Sequence, residues 1–314
     1  MGIRCACEPS KKNIFISTGG RPMVTIQIDK KLCNSCELCL KACRAHVFKM
    51  NGDPVPNVEP FGCISCGHCV AACPTAAILH SAFRIEDFPA IDTSRLPDRT
   101  SLMNLFRKRR SIRSFKDQSI PRETIENLLA ISAYAPSAHN MQPVDWLVID
   151  SKSQIRELSK RATAILGHTA RIILNPIFRF FFGLTEGFQK AAEGKKFAKE
   201  MLELEAIQEA GEDPIFGNAS VVAIAHTPSG SYFSRDDAIY ALYNVELLAE
   251  RVGLATCQMG YFKLALDRSA SLRQAMQLPE GRSPEAAIVI GYPSVVYNRM
   301  IPKRKPDILW RNSP

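Results

Sequence analysis

CNSCELCLKAC (residues 33–43) and CISCGHCVAACP (residues 63–74) are two copies of one pattern, C-x2-C-x2-C-x3-C, with every cysteine repeated 30 positions on. Self-similarity at a fixed offset marks one structural unit used twice. The copies hold Cys33, Cys36, Cys39 and Cys43, then Cys63, Cys66, Cys69 and Cys73. An alternating, extended segment, VTIQI (residues 24–28), precedes the first copy. A short alanine-bearing helical stretch follows each closely spaced trio.

Three cysteines at x2 intervals let one tight loop wrap a compact inorganic cluster. Backbone amides then point at the sulfurs, and a fourth thiolate comes from elsewhere. In the bacterial run of this kind, the fourth cysteine of each motif ligates the other cluster. That assigns Cys33, Cys36, Cys39 and Cys73 to one [4Fe–4S] cluster, and Cys63, Cys66, Cys69 and Cys43 to a second. Zinc sites instead pair two C-x2-C units, usually across a longer loop, and fit this spacing poorly. Residues 24–85 therefore resemble the bacterial two-cluster ferredoxin domain. One departure is Arg44, where that family often has proline. Ligation does not need the proline, and a nearby cation would raise that cluster's potential.

The whole chain has 314 residues and a formal charge of +9. That length allows about two domains. With 46% hydrophobic and 23% charged residues, it is neither disordered, collagenous nor a coiled coil. Ten of the 11 cysteines precede residue 74, so they do not form a disulfide framework spread over the chain. Cys5, Cys7 and Cys257 are left over from the repeat. The longest apolar-looking stretch, residues 172–184, contains Asn175, Pro176 and Arg179, and is no membrane span. The opening MGIRCACEPSKKNIF lacks the apolar core of a secretory leader. The expectation is a cytoplasmic protein with reduced thiols. Residues 1–23 read as an N-terminal tail.

EDFPAIDTSRLPDRT (residues 86–100) is polar, carries two prolines and reads as a linker over 86–101. The second domain then spans 102–314. Helices are expected from Ser101, over 120–133, around Phe197, Met201, Leu204 and Ile207, and over 238–252. Short buried strands are expected at 146–149, 221–225 and 286–290. Interleaved helices and strands argue for an α/β or α+β fold.

Four stretches here carry chemistry. Arg109, Arg110 and Arg113 place three guanidiniums around Ser111. APSAHNMQP (135–143) is a polar loop before a strand, GLATCQMG (253–260) a small-residue turn after a helix, and GYP (291–293) leads to Lys303 and Arg304. Arginine clusters suit a terminal phosphate through bidentate bonds. Asn and Gln suit a mixed donor and acceptor ring edge. Glycine lets backbone N–H groups approach a ring. Together these are the requirements of flavin mononucleotide. A basic nucleic-acid patch at RKRRSIR (107–113) is the plainer reading, but no second basic stripe or recognition motif supports it.

The order RRSIR, APSAHNMQP, GLATCQMG, GYP and RKP resembles the nitroreductase family of FMN enzymes, over residues 102–314. The resemblance implies an α+β fold with a central, mainly antiparallel sheet flanked by helices, and a homodimer with FMN in the interface. It implies that Arg109, Arg110, Ser111 and Arg113 lie near the phosphate and ribityl chain, with Lys303 and Arg304 completing the phosphate site. It places Pro136, Ser137, Asn140 and Gln142 along the flavin. It sets backbone groups around Gln258, Met259 and Gly260 at the reactive nitrogen. Residues 165–215 match the pattern least and read as a substrate lid.

The expected protein is an electron wire fused to a flavin reductase, acting on a nitro, quinone or conjugated acceptor. A redox protein or NAD(P)H is the donor. No G-x-G-x-x-G motif marks a Rossmann nicotinamide domain. Water or His139 supplies the proton. The rival reading is a non-catalytic electron carrier or redox sensor with FMN as a relay.

Overall fold

Ile26 and Ile28 alternate with Gln27 and form β1 (Ile26–Ile28), in a computed structural model that describes residues 24–311. The tail expected over 1–23, with Cys5 and Cys7, lies outside the described residues. The chain divides into two compact units, the first ending at Thr93 and the second beginning at Ser94.

In the first unit, α1 (Leu38–Ala42), β2 (Phe48–Lys49) and β3 (Asn57–Val58) are followed by α2 (His68–Ala72) and β4 (Ile78–His80). β1 pairs antiparallel with β4, Ile26 facing His80, and β2 pairs antiparallel with β3. The first and last strands of the repeat thus hold both copies in one body. The backbone repeats as the sequence does. Ser35 and Glu37 (φ 58° each) are left-handed, as are Ser65 (50°) and Gly67 (74°), and His46 and Ala76 match at 53°. Left-handed residues inside a turn draw successive N–H groups to one side and form an anion-binding hollow. The apolar core is small: Ile26, Val47, Phe48, Val70 and Ile78, packed with Cys69. A unit this size, with so few buried side chains, depends on a metal centre for much of its stability.

The second unit opens with α3 (Arg99–Lys108), capped by Asp98, which accepts the N–H groups of Thr100 and Ser101. α4 (Arg122–Ala130) buries Ile125, Leu128 and Leu129, and a 3-10 turn continues it to Tyr134. β5 (Asp145–Ile149), α5 (Lys152–Leu174), α6 (Pro176–Glu186), α7 (Phe188–Glu209) and β6 (Val221–Pro228) follow. α8 (Ser234–Arg251), β7 (Ala255–Gln258), α9 (Gly260–Arg268), α10 (Ala270–Ala275) and β8 (Arg282–Gly291) complete the unit. The sheet runs β5-β6-β8-β7, and every pairing is antiparallel.

β6 reads VVAIAHTP, an apolar run with no alternation, because both faces of the sheet are covered. Val222 and Ile224 join Leu158, Ala162 and Leu166 of α5 and Phe262 of α9 on one face. Val221, Ala223 and Ala225 join Leu128 of α4 and Leu242 and Val245 of α8 on the other. The result is a three-layer α+β sandwich with the sheet in the middle.

Two differences from the sequence reading have physical causes. Residues 253–260 hold an edge strand, β7, and not only a turn. Its small residues Ala255, Thr256 and Cys257 are all buried because they pack beneath the sheet's helices. α7 is a helix as expected, but only Met201 of its four marker residues is fully buried, and Phe197 and Ile207 are exposed. Among the described residues, no helix is long and apolar enough to cross a membrane.

Gly217 is left-handed (φ 59°), and a Cβ there would stand 2.1 Å from the Arg113 carbonyl oxygen. The neighbour is backbone, so it yields only if the arginine segment moves. Gly217→Ala is expected to cost about 2 kcal/mol or more by urea unfolding. A change below about 0.5 kcal/mol, as for an ordinary surface substitution, would contradict this close approach.

Candidate active site

Cys33, Cys36 and Cys39 of the first copy line a small cavity together with Cys73 of the second. Ile28, Leu38, Ala77 and Ile78 give it apolar walls. Burial pushes the Cys39 thiol up, and the neighbouring Cys33 and Cys36 add to this. Burial also pushes Cys73 up. Bonds from the Ala77 N–H (3.3 Å) and Thr75 (3.7 Å) outweigh it and hold that thiol below its ordinary value. Around the second copy, burial pushes Cys69 up to about 11, and Cys43, Cys66 and Cys63 act on it as neighbouring charges. Each trio therefore keeps company with the last cysteine of the other copy.

Cys39 and Cys69, both raised by burial, need a cation to hold them as thiolates. A zinc ion draws its ligands to about 2.0–2.3 Å from one point. A four-iron cluster takes one thiolate at each corner, so its ligands stand around a volume. A thiol-lined cavity beside backbone N–H hollows fits that group.

In the second unit, the arginine segment lies against β7. The Ile112 N–H donates to the Thr256 carbonyl at 3.0 Å, and Ser111 bridges Thr256 in parallel. Phe115 bridges Pro293, which ties the segment to the end of β8. Arg109 Nη1 stands 3.9 Å from Glu246 Oε2 on α8, and Gln258 Nε2 donates to the same oxygen at 3.3 Å. Cys257 is buried beside them. Burial raises its thiol, while Arg113, Ser111 and Arg109 oppose the rise. Arg110 Nη1 donates to the Arg109 carbonyl at 2.8 Å and to that of Arg107, but its buried Nε has no partner among the described residues. An unpartnered guanidinium N–H among three arginines and a hydroxyl fits a phosphate.

The APSAHNMQP loop sits elsewhere on the same helix. The Ala138 N–H donates to Oδ1 of the buried Asp237 at 3.0 Å. His139, Asn140 and Gln142 are all left-handed (φ 51°, 54° and 46°), a cluster of strained backbone of the kind found at ligand sites. The Gln142 N–H donates to Ser137 Oγ at 2.9 Å, and Gln142 Nε2 to Asn140 Oδ1 at 3.3 Å. Pro136, Ser137 and Gln142 line a cleft of about 780 Å3 with Ser132, Trp146 and Asp237. Arg282 fastens the loop's far end, donating to the Pro143 carbonyl (3.0 Å) and to Asp145 Oδ2 (2.5 Å).

One chain thus brings Arg109, Ser111 and Arg113 to the strand that ends at Gln258, with Met259 and Gly260 next to it. It does not bring Pro136, Ser137, Asn140 and Gln142 to that group. Asp237 and Glu246 lie nine residues apart, about 14 Å along α8. Lys303 and Arg304 are exposed in an irregular C-terminal segment, where Arg304 pairs with Asp307 at 3.3 Å. Glu246 and Asp237 were missed in the sequence. Their signal was a lone acid inside the apolar run of α8, Val245-Glu246-Leu247-Leu248, and another at its start.

Residues 106–292 match the nitroreductase family, and residues 32–78 match the 4Fe-4S dicluster domain. The chain belongs to the nitroreductase family. It is 26% identical over 221 residues to the chloronitrobenzene nitroreductase of Comamonas testosteroni, covering 65% of this chain and 93% of that one. The first unit is 42% identical over 55 residues to a ferredoxin of Methanothermococcus thermolithotrophicus, covering 18% of this chain and 92% of that one. The nitroreductase of Bacteroides fragilis, solved with bound FMN, shares the fold at a TM-score of 0.50 and 15% identity, over 67% of this chain and 98% of its own. A 4Fe-4S dicluster domain joined to a nitroreductase-family domain makes this an iron–sulfur oxidoreductase.

Glu246 is 2% exposed, and its Oε1 has no partner among the described residues. Burial pushes its carboxyl up, and Arg109 and Gln258 only partly oppose this. A raised carboxyl favours the protonated fold, so its contribution is full below the unfolded pKa and is lost as pH rises through the folded one. Wild type is therefore expected to lose stability relative to Glu246→Gln as pH rises above the ordinary carboxylate range. Parallel urea midpoints across that rise would contradict the buried charge.

Proposed function

We propose that the chain passes electrons from two [4Fe–4S] clusters to FMN and on to a nitro, quinone or conjugated small-molecule acceptor. The observation that carries this reading is the union in one chain of crossed thiol sets with a nitroreductase-family arginine site whose buried N–H awaits a partner. When bound, FMN takes electrons singly and delivers them in pairs, which matches one-electron donors to two-electron acceptors.

The residues have these roles. Arg109, Arg110, Ser111 and Arg113 bind the phosphate and ribityl chain through charge-assisted bonds. Lys303 and Arg304 add to the phosphate site. Pro136, Ser137, Asn140 and Gln142 orient the ring. Backbone N–H groups around Gln258, Met259 and Gly260 stabilise negative charge beside its reactive nitrogen. His139 or water holds the proton for the acceptor. Residues 165–215 form the substrate lid and exclude water. Cys33, Cys36, Cys39 and Cys73 hold one cluster, and Cys63, Cys66, Cys69 and Cys43 the other. Reduced ferredoxin-type carriers or NAD(P)H supply the electrons.

A second copy of the chain completes the flavin site. The separation of the two half-sites along α8 supports this, as do the exposed Leu102, Met103 and Phe106 of α3 and the exposed Ile308, Leu309 and Trp310 of the C-terminal segment. In this reading the arginine site of one copy meets the 135–143 loop of the other.

Protein purified without oxygen is expected to carry eight irons and one FMN per chain, as two four-iron clusters and one flavin site require. It is expected to be a dimer by light scattering and to consume a nitroaromatic steadily with reduced viologen as donor. Eight irons without flavin, or redox change without turnover of any acceptor class, would favour a carrier instead. Arg110→Ala is expected to weaken FMN binding by about tenfold or more, the loss of one charge-assisted bond. Unchanged retention of flavin on gel filtration would remove Arg110 from the site.

A further inference from the structure

His80 ends β4 and is 5% exposed, though it lies 17 residues beyond the nearest cysteine to which it bonds. Its Nε2 stands 3.5 Å from Cys63 Sγ. Its Nδ1 accepts the Ala82 N–H at 3.1 Å. A ring nitrogen that accepts a backbone N–H carries a lone pair, so the proton of the neutral imidazole sits on Nε2. The ring is also held by Phe83, whose centroid lies 4.8 Å away, and by the pairing of His80 with Ile26. Both nitrogens are therefore committed, and the N–H is aimed at sulfur.

We propose that His80 is a positioning residue that donates its Nε2–H to the Cys63 thiolate and raises the reduction potential of the cluster that Cys63 holds. The proposal rests on the reading that Cys63 is a cluster ligand. Reduction adds negative charge to a cluster and its thiolates. A fixed donor stabilises the reduced form more than the oxidised one, so the potential rises. Cys63 also accepts the Ser65 N–H at 3.4 Å, so its sulfur receives a backbone donor and a side-chain donor.

The internal repeat supplies a comparison. The residue 30 positions before His80 is Met50, which has no N–H or O–H to give. The device belongs to one copy of the motif only. The other cluster has its own side-chain contact, Thr75 Oγ1 at 3.7 Å from Cys73 Sγ. Two variants should therefore act on two different clusters.

The test is a redox titration of the anaerobic full-length holoprotein, followed by the electron paramagnetic resonance of the reduced clusters, with iron counted first. His80→Leu is expected to lower one midpoint by about threefold to tenfold in the reduction equilibrium, tenfold being about 59 mV for one electron. The other midpoint stays in place. His80→Gln, which keeps an N–H donor, is expected to recover part of the shift, and Thr75→Val to move only the other midpoint. Because His80→Leu can lose its cluster outright, wild type labelled with 15N-histidine provides a second reading. A ring-nitrogen coupling to one reduced cluster, absent in His80→Gln, is expected. Full iron with unmoved midpoints, or no such coupling in wild type, would overturn the proposal. Wild type lacking four of its eight irons would instead overturn the ligand reading beneath it.

Discussion

A single backbone hydrogen bond, from the Ile112 N–H to the Thr256 carbonyl at 3.0 Å, joins two segments from opposite ends of the second unit. The Phe115–Pro293 bridge and the Lys116 N–H bond to the Tyr292 carbonyl hold the far end of the same segment. Ser111 is fixed beside Thr256, and Arg109 and Gln258 share the Glu246 carboxylate. The Ile112 bond is possible because β7 is an edge strand, with one row of backbone groups left over from the sheet. Gly217 completes the arrangement by letting its own loop pass against the Arg113 carbonyl. The chemistry of the site thus depends on a sheet edge that stays open for the arginine segment.

The first unit solves a different problem. Its apolar core is small, most of its cysteines are half-buried, and four of them line one cavity. Left-handed residues recur at matched positions of both copies, and the Ser65 and Ala77 N–H groups donate to Cys63 and Cys73. Covalent spacing, backbone conformation and thiol placement therefore agree, and such agreement across levels is what marks a specified site. His80 and Thr75 break the symmetry of the repeat, each at a different cysteine.

Legibility followed the local character of the signal. Cluster ligation fixes cysteine spacing within a dozen residues, so the pattern at 33–43 and 63–73 could be read directly. β6 and β8 announce themselves through the apolar runs at 221–225 and 286–290. α5 carries an equally regular signal, Ile155, Leu158, Ala162, Leu166 and Ala170, and is absent from the expected helices. The buried partners Glu246, Asp237 and His80 were the hard cases. Each is one polar residue in an ordinary sequence context, and its meaning comes from contacts across the fold. Arg304 is the reverse: legible as a phosphate ligand by order of motifs, but paired within its own chain to Asp307.

The central claim is that electrons reach the flavin through the clusters. Rapid mixing of the anaerobic holoprotein with a reduced viologen tests it most directly, with cluster and flavin absorbance followed together. The account predicts that the clusters bleach first and the flavin second, at a rate that levels off as donor is raised. It predicts that replacing the eight cluster cysteines slows flavin bleaching by orders of magnitude while FMN stays bound. Flavin bleaching that is just as fast without the clusters would contradict it.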